Sequence, residues 1–532
     1  PKACASIRVP LAGDDDMRPG FILIACGLLT AAPTTGLNAQ TQQGSTAMST
    51  TERIRLAAAD SAYNDGERAL ARRYYTSVLE VNPKNSRALY QLGQLSKENP
   101  SEAVSLFRQY VVLESRDVWG HIALAQALAR SNQLDEALLE FDVAGGLAPA
   151  ERDVWIGRAR MLAEANRTDA AIGQYERWTA KHRDDADAWR ELALQRRKAG
   201  RIPGAISALE RAQAIRSTPA GERQLRVWRA MAAPWTEPVA EGSRDSDGNQ
   251  VGRGGLTIGG TLGDGFGIDG HAAATHVGEG SSGAAVYDVG LGGRWRPLSS
   301  LRAEARAGIS VSDSVLPGGQ RLQPTAELRL DWRDPAGMAV LNVRGTRALI
   351  SASPLLVENG VVRNEVSGRA DLTVVGPIRI RALARDGYIT SVIDDNNRIA
   401  LGGGIVVAGS LGELSATMQQ ISFARQSASG YFSPHSARVA EIGTYDEFES
   451  ASGIRLAVDA GAGVQQVTEW GLPAGPWGPA YHTWTELALP VAVGSEVRVT
   501  LESYDSRIGS DVATSSTWKY LSLSVMLHWA LP

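Results

Sequence analysis

Hydrophobic and polar positions follow two different rhythms along this chain. From about residue 52 to 216 the apolar positions recur as pairs of amphipathic segments, repeated every 34 residues. Ala137, Ala171 and Ala205 are 34 apart, and Phe141, Tyr175 and Leu209 follow each alanine by four. Ala144, Trp178 and Ala212 follow those by three, while Trp155 and Trp189, again 34 apart, precede Ala159 and Ala193. Spacings of three and four put these residues on one face of a helix. From about residue 251 to the end the period is two. Leu301, Ala303, Ala305, Ala307 and Ile309 share one face of an extended segment, with Arg302, Glu304 and Arg306 on the other. Ala326, Leu328, Leu330 and Trp332 alternate in the same way with Glu327, Arg329, Asp331 and Arg333.

The 34-residue pattern resembles the tetratricopeptide repeat, in which small residues sit where two helices touch and large ones fill the gap beside them. About five copies cover 52–216, the earlier ones looser, with Ala71, Tyr75 and Pro83 and then Ala103 and Phe107 as their markers. One helix pair cannot bury its apolar stripe alone, so neighbours stack into a superhelix with a concave face. Trp119, Trp155 and Trp189 are expected to pack in the core of that stack. Arg190, Arg196, Arg197 and Lys198 are expected on a solvated helix face.

Residues 217–250 hold Pro219, Pro234, Pro238 and the polar run from Glu241 to Asn249, and read as a linker. Beyond it, strands of about 9–14 residues with one apolar face and one face of mixed charge fit a transmembrane barrel better than a soluble sandwich. About 15 candidate strands are visible, and because single-chain bacterial barrels have even numbers, 16 are expected. The last strand runs through Leu521, Leu523, Val525 and Leu527 to Trp529, with Ala530, Leu531 and Pro532 after the aromatic. The fold class is therefore α+β and multidomain: an all-α repeat solenoid followed by an antiparallel transmembrane β-barrel over 251–532.

Composition narrows the function. A net charge of −4 provides no basic footprint for nucleic acid. Mean hydropathy is slightly negative, as expected where lipid-facing residues alternate with polar ones. Residues 1–39 contain a leader beginning at Met17, with Arg18 ahead of an apolar stretch from Phe21 to Leu29, and cleavage is expected after Ala39. On that reading residues 1–16 precede the true start. Leu23-Ile24-Ala25-Cys26 offers a competing lipidation signal. Both cysteines, Cys4 and Cys26, lie ahead of the expected cleavage point, which leaves no thiol for catalysis, metal binding or disulfides.

Several apparent motifs dissolve on inspection. Gly265 to Gly270 matches a dinucleotide fingerprint but has no helix after it. Asp245-Ser246-Asp247-Gly248-Asn249 resembles the start of a calcium loop but has Leu256 where the closing glutamate belongs. His271 and His276 are five apart and so on opposite faces of a strand, and Asp394-Asp395 sits in a turn composition. No nucleophile and base stand together, so no enzyme, cofactor or metal is expected.

Gly430-Tyr431-Phe432-Ser433-Pro434-His435 resembles a Gly-Tyr-aromatic-Ser-Pro segment in the C-terminal part of the cellulose synthase operon protein C family, outer-membrane exporters of exopolysaccharide. Those exporters carry many more helical repeats than the five counted here. The resemblance implies a conduit: an inner-membrane polysaccharide synthase extrudes the chain, the periplasmic repeat arm docks the synthase or periplasmic proteins, and the barrel offers a hydrated path through outer-membrane lipid. Candidate polymer contacts are the aromatics Tyr431, Phe432, Trp470, Trp477, Tyr481 and Trp484. The inward charges Arg302, Glu304, Arg306, Glu327, Arg329 and Asp331 form a second candidate set. The competing reading is a non-conducting outer-membrane scaffold, its arm recruiting proteins and its lumen closed by its own ion pairs.

Overall fold

The computed structural model describes residues 48–313, 322–409, 412–505 and 518–531. The expected leader, both cysteines and the lipidation signal lie outside the described residues.

Helices α1 (Thr50–Asn64) and α2 (Arg68–Val81) open the arm, followed by α3 (Ser86–Leu95), α4 (Pro100–Leu113), α5 (Val118–Arg130), α6 (Leu134–Leu147), α7 (Arg152–Glu164), α8 (Thr168–Lys181), α9 (Ala186–Lys198) and α10 (Ile202–Ile215). The alanines that set the repeat, Ala71, Ala137, Ala171 and Ala205, are fully buried, with Tyr75, Phe141, Tyr175 and Leu209 beside them. Gly157 receives the ring of Phe141 at 3.1 Å from where a Cβ would stand. Asp185 clamps two repeats together. It caps α9 through the Ala188 N–H and accepts from Trp178 Nε1 at 2.9 Å and from Arg152 at 2.8 and 3.2 Å. Burial pushes its carboxyl up, but these donors outweigh burial and hold it at about 2.

Trp155 and Trp189 are half-buried against the core, and each indole N–H donates to a carbonyl six residues back, Pro149 and Arg183. Trp119 departs from the expectation of core packing. Tyr110 fills the space beside Gly120, and Trp119 projects outward at 47% exposed.

The expected linker is not one. Thr218 caps a further helix, α11 (Pro219–Ala232), with Pro219 at its first turn, where a missing N–H costs nothing. After Pro234 the barrel has already begun, with β1 at Trp235–Asp245. Its alternation escaped detection because its outer face carries Thr236, Pro238, Ala240 and Gly242 rather than large apolar residues. The calcium-like run is a hairpin turn. Asp245 accepts from the backbone N–H groups of Asp247 and Asn249, and Gly248 takes φ +96°.

The remaining strands are β2 (Asn249–Gly263), β3 (Phe266–Glu279), β4 (Ser282–Leu298), β5 (Leu301–Ser312), β6 (Leu322–Arg333), β7 (Ala339–Leu349), β8 (Val362–Val375) and β9 (Ile378–Thr390). They continue through β10 (Asp395–Gly409), β11 (Gly412–Phe423), β12 (Ser436–Glu449), β13 (Arg455–Thr468), β14 (Gly478–Ala492), β15 (Ser495–Tyr504) and β16 (Tyr520–Ala530). Each pairs antiparallel with its sequence neighbours, and β1 closes on β16 with Val239 opposite Met526. This is the closed 16-strand barrel that the alternation predicted, and closure leaves no unpaired edge.

Along β4, Tyr287, Val289, Leu291 and Trp295 are more than half exposed, while Asp288 and Gly290 between them face inward. An apolar outer face around a polar interior inverts the burial order of a soluble protein and suits a barrel surrounded by lipid. No helix among the described residues is long and apolar enough to cross a membrane.

The arm is fastened to the barrel end where β1 begins and β16 finishes. Asp169 on α8 takes Arg201 and both the N–H and hydroxyl of Ser299 in the β4–β5 turn, at 2.9 and 2.8 Å. The Gly204 N–H donates to Asp264 in the β2–β3 turn at 2.6 Å.

Candidate functional site: the lumen and its filled mouth

Strand register brings the predicted inward charges together. Arg302 lies opposite Asp331, Glu304 opposite Arg329, and Arg306 opposite Glu327, all on the inner face. Arg302 pairs with Glu304 and Arg329 with Asp331 along their own strands; Arg306 reaches Asp269 on β3 at 3.3 Å and Glu327 at 3.7 Å. The ladder continues round the wall, with Arg344 on Glu327, Arg369 and Arg381 on Asp371, Arg379 on Glu413, and Arg385 and Arg398 on Glu365. Asp371 is almost wholly buried and accepts from both guanidinium groups at 2.7–3.1 Å. Charges inside a barrel wall are tolerable only when paired in this way.

The opposite wall differs. On β14, β15, β16 and β1 the inner face carries Trp484, Glu502, Ser522 and Ser243 in one row and His482, Tyr504, Tyr520 and Asp245 in the next. Tyr504 and Tyr520 are 4.9 Å apart between ring centroids, and Trp518 stacks on Tyr520 at 5.6 Å. Trp518 is buried and donates its indole N–H to Asp245 at 3.0 Å. A cavity of about 860 Å³ lies between the two walls, bounded by Glu241, Tyr504 and Tyr520 on one side and Arg306, Glu327 and Arg344 on the other.

The far end of the lumen is filled, where the resemblance implies a hydrated path. A short helix, α12 (Pro354–Glu358), capped by Ser353, enters the mouth between β7 and β8. Val357 is fully buried against Ala284 and Val286 of β4. Leu356 belongs to a buried cluster with Ala400, Ile421, Ala437, Val439 and Val467, on β10 to β13 across the barrel. The segment between β11 and β12 packs on this helix. Gly430, at φ +99°, brings its backbone onto Leu355, where an added Cβ would stand 2.8 Å from the side chain. Asn359 donates to the Ser429 carbonyl at 3.0 Å. Asp394, in the β9–β10 turn, clasps the same segment through Ser427, the Ala428 N–H and Ser429 at 2.8, 3.0 and 2.5 Å. Burial pushes this carboxyl up, yet the three donors hold it below its ordinary range.

The aromatic candidates consequently divide. Tyr431 is buried in the plugging cluster with Phe432 and Trp470 packed beside it, and Trp470 donates to the Ser433 carbonyl at 2.8 Å. These three build the closure in this conformation; Tyr431 offers no free face to a polymer. Trp477 stands exposed in the β13–β14 loop. Tyr481 and Trp484 are three apart, so they cannot share a strand face. Tyr481 sits with Ser503 on the outer face, and Trp484 points inward opposite Asp459 and Glu502. The basic residues of α9 serve the arm itself: Arg190 binds Asp187, Arg196 binds Glu176, Lys198 binds Asn166, and Arg197 lies over the Trp228 ring.

Sequence reasoning missed α12 and the cluster of Tyr504, Trp518 and Tyr520, and read Asp394 only as a turn residue. The signal for α12 was present. Ser353-Pro354 followed by Leu355-Leu356-Val357 breaks the period of two with a capped apolar turn. The aromatic cluster joins residues from two strands and had no local signature.

Models of the tetratricopeptide repeat match residues 56–115 and 152–194. No curated protein matches the chain. Among solved structures, one described as a bacterial polysaccharide outer membrane secretin is 12% identical with a TM-score of 0.43, aligning 57% of this chain with 99% of that one. The MamA protein is 21% identical, with a TM-score of 0.30, over 32% of this chain and 94% of its own. YrrB, described as a TPR protein with an unusual peptide-binding site, is 19% identical, with a TM-score of 0.29, over 33% and 93%. The chain thus carries tetratricopeptide repeats ahead of a closed barrel.

Proposed function

We propose that this protein is an outer-membrane conduit for an exopolysaccharide, with its repeat arm on the periplasmic side docking the synthase or its periplasmic partners. The observation that carries this reading is the cavity inside the barrel. A barrel serving only as an anchor needs no interior space of about 860 Å³ lined by arginines, carboxylates, hydroxyls and tyrosine rings. Aromatic faces and hydrogen-bonding side chains are what a sugar chain requires. The barrel supplies no work; a synthase pushing the polymer would, and the protein acts as a passive path rather than an enzyme. A cellulose-like polymer is the expectation from the Gly-Tyr-Phe-Ser-Pro segment.

One observation favours the second reading, a non-conducting scaffold: α12 and the segment around Tyr431 fill the far mouth. The conduit reading requires that closure to be movable. Ion current across a planar bilayer distinguishes the two. Wild-type protein is expected to conduct rarely, and Asp394→Ala, which removes the clasp on Ser427 and Ser429, to raise the open fraction. A deletion strain should lose polymer outside the cell and accumulate or degrade it in the periplasm. Absence of current in both proteins, with unchanged secretion, would leave the scaffold as the better account.

A further inference from the structure

The outer face of β11, β12 and β13 changes character along its length. Register sets Met418, Ala440 and Val464 in one row across these strands, with Ala416, Ile442 and Ala462 in the row nearer the arm. Met418, Ile442 and Val464 are exposed, as side chains that meet acyl chains are. Away from the arm, the next row on the same face is Gln420, Arg438 and Gln466, and the row beyond it is Ser422, Ser436 and Thr468. Apolar, then amide and guanidinium, then hydroxyl is the order in which a bilayer passes from hydrocarbon to headgroup to water. At the arm end the same face carries Asp446, Phe448 and Leu456 and no arginine.

Arg438 is exposed on this face. Its Nε donates to Gln420 Oε1 at 3.0 Å, which sets the plane of the guanidinium, and its terminal nitrogens have no partner among the described residues. The lumen treats charge differently. On the inner face of neighbouring strands Arg379 binds Glu413 at 2.6 Å, and Arg381 binds Asp371 at 2.7 Å. A guanidinium turned toward lipid with no carboxylate beside it is costly unless the lipid supplies the counter-charge.

We infer that Arg438, aimed by Gln420, binds a phosphate of lipopolysaccharide, the phosphorylated glycolipid of an outer membrane's outer leaflet. This goes beyond the conduit reading and rests only on its orientation, with the arm in the periplasm. The planar fork of terminal N–H groups matches phosphate oxygens bidentately. Ser422, Ser436 and Thr468 offer hydroxyls to the sugar above the phosphate. Met418, Ile442 and Val464 lie below it, where the acyl chains descend.

The test is native mass spectrometry of the detergent-solubilised full chain, titrated with bisphosphorylated lipid A, with dephosphorylated lipid A and with phosphatidylglycerol. Wild-type protein is expected to bind bisphosphorylated lipid A at least roughly tenfold more tightly than either of the others, and Arg438→Gln to lose roughly tenfold of that affinity. Millimolar inorganic phosphate should not displace the lipid. Heat-modifiable migration on gels confirms that the variant barrel is closed. Lipid A binding by Arg438→Gln as tight as by wild type overturns the site. Equal binding of the dephosphorylated form overturns the ligand, and displacement by inorganic phosphate reassigns the site to the free anion. Equal binding of phosphatidylglycerol overturns the assignment to the outer leaflet. None of these outcomes touches the lumen, so the conduit reading stands or falls separately, on ion current and secretion.

Discussion

The arm and the barrel use the same residue types in opposite places. In the arm, alanine, phenylalanine and tyrosine are buried between helices, and arginine–carboxylate pairs lie on the outside, as with Arg72 and Glu102 or Arg108 and Glu136. In the barrel, leucine, valine and tryptophan face outward, and the arginine–carboxylate pairs are inside. The difference teaches what each region is solvated by. Water surrounds the arm, so its ion pairs are exposed and contribute little. A barrel wall that faces lipid must turn its charges inward, where each needs a partner.

Breaking an interior pair tests the comparison most severely. Arg381→Gln leaves Asp371 buried with Arg369 as its remaining guanidinium partner, and the barrel is expected to lose about 3 kcal/mol or more of stability. Removing a surface pair in the arm, by Arg108→Gln, should cost less than about 1 kcal/mol. The temperature at which the folded band disappears from semi-native gels measures the first, and thermal loss of helical ellipticity the second.

Two exposed leucines sharpen the contrast. Leu291 on β4 is 74% exposed and Leu139 on α6 is 64% exposed. If the barrel face meets lipid, Leu291→Arg is expected to cost about 2–4 kcal/mol near the midplane and to impair insertion. Leu139→Arg should change stability by no more than about 0.5 kcal/mol. Equal tolerance at both positions would contradict the lipid-facing assignment.

A third effect concerns acid and lies within the arm. Asp185, held at about 2 against an ordinary 3.8, contributes stability that is fully present above its unfolded value and is lost as pH falls from about 4 through about 2. Its contribution is about 2 kcal/mol. Asp185→Ala should therefore lower the arm's melting temperature at neutral pH and reduce the wild type's acid sensitivity between pH 4 and 2. A variant whose acid sensitivity matches wild type would assign that loss to other carboxylates.

Local pattern made much of this molecule legible. The 34-residue spacing of Ala137, Ala171 and Ala205 determined the stacked helix pairs, because a small residue at each helix crossing leaves only one way to pack the neighbour. Alternation at Arg302, Glu304 and Arg306 determined strands and an inner face, because side chains on a strand point to opposite sides by turns. That alternation gave about 15 strands, and the even number of strands in bacterial barrels supplied the sixteenth. It failed at β1, whose outer face is small and polar, and at α11, where prolines that cap a helix resembled linker composition.

Tertiary structure alone decided how the lumen is used. The sequence places Tyr431 in a short aromatic motif but not in the mouth; it is there because the β11–β12 segment folds inward onto α12, and Asp394 from a third loop clasps it. Tyr504 and Tyr520 became neighbours only when β15 and β16 paired in register. The sequence by itself specifies which residues share a face, since that depends on the geometry of a few consecutive bonds. Which faces meet across the lumen depends on barrel closure and loop folding, contacts between residues far apart in the chain, and these only the folded structure supplies.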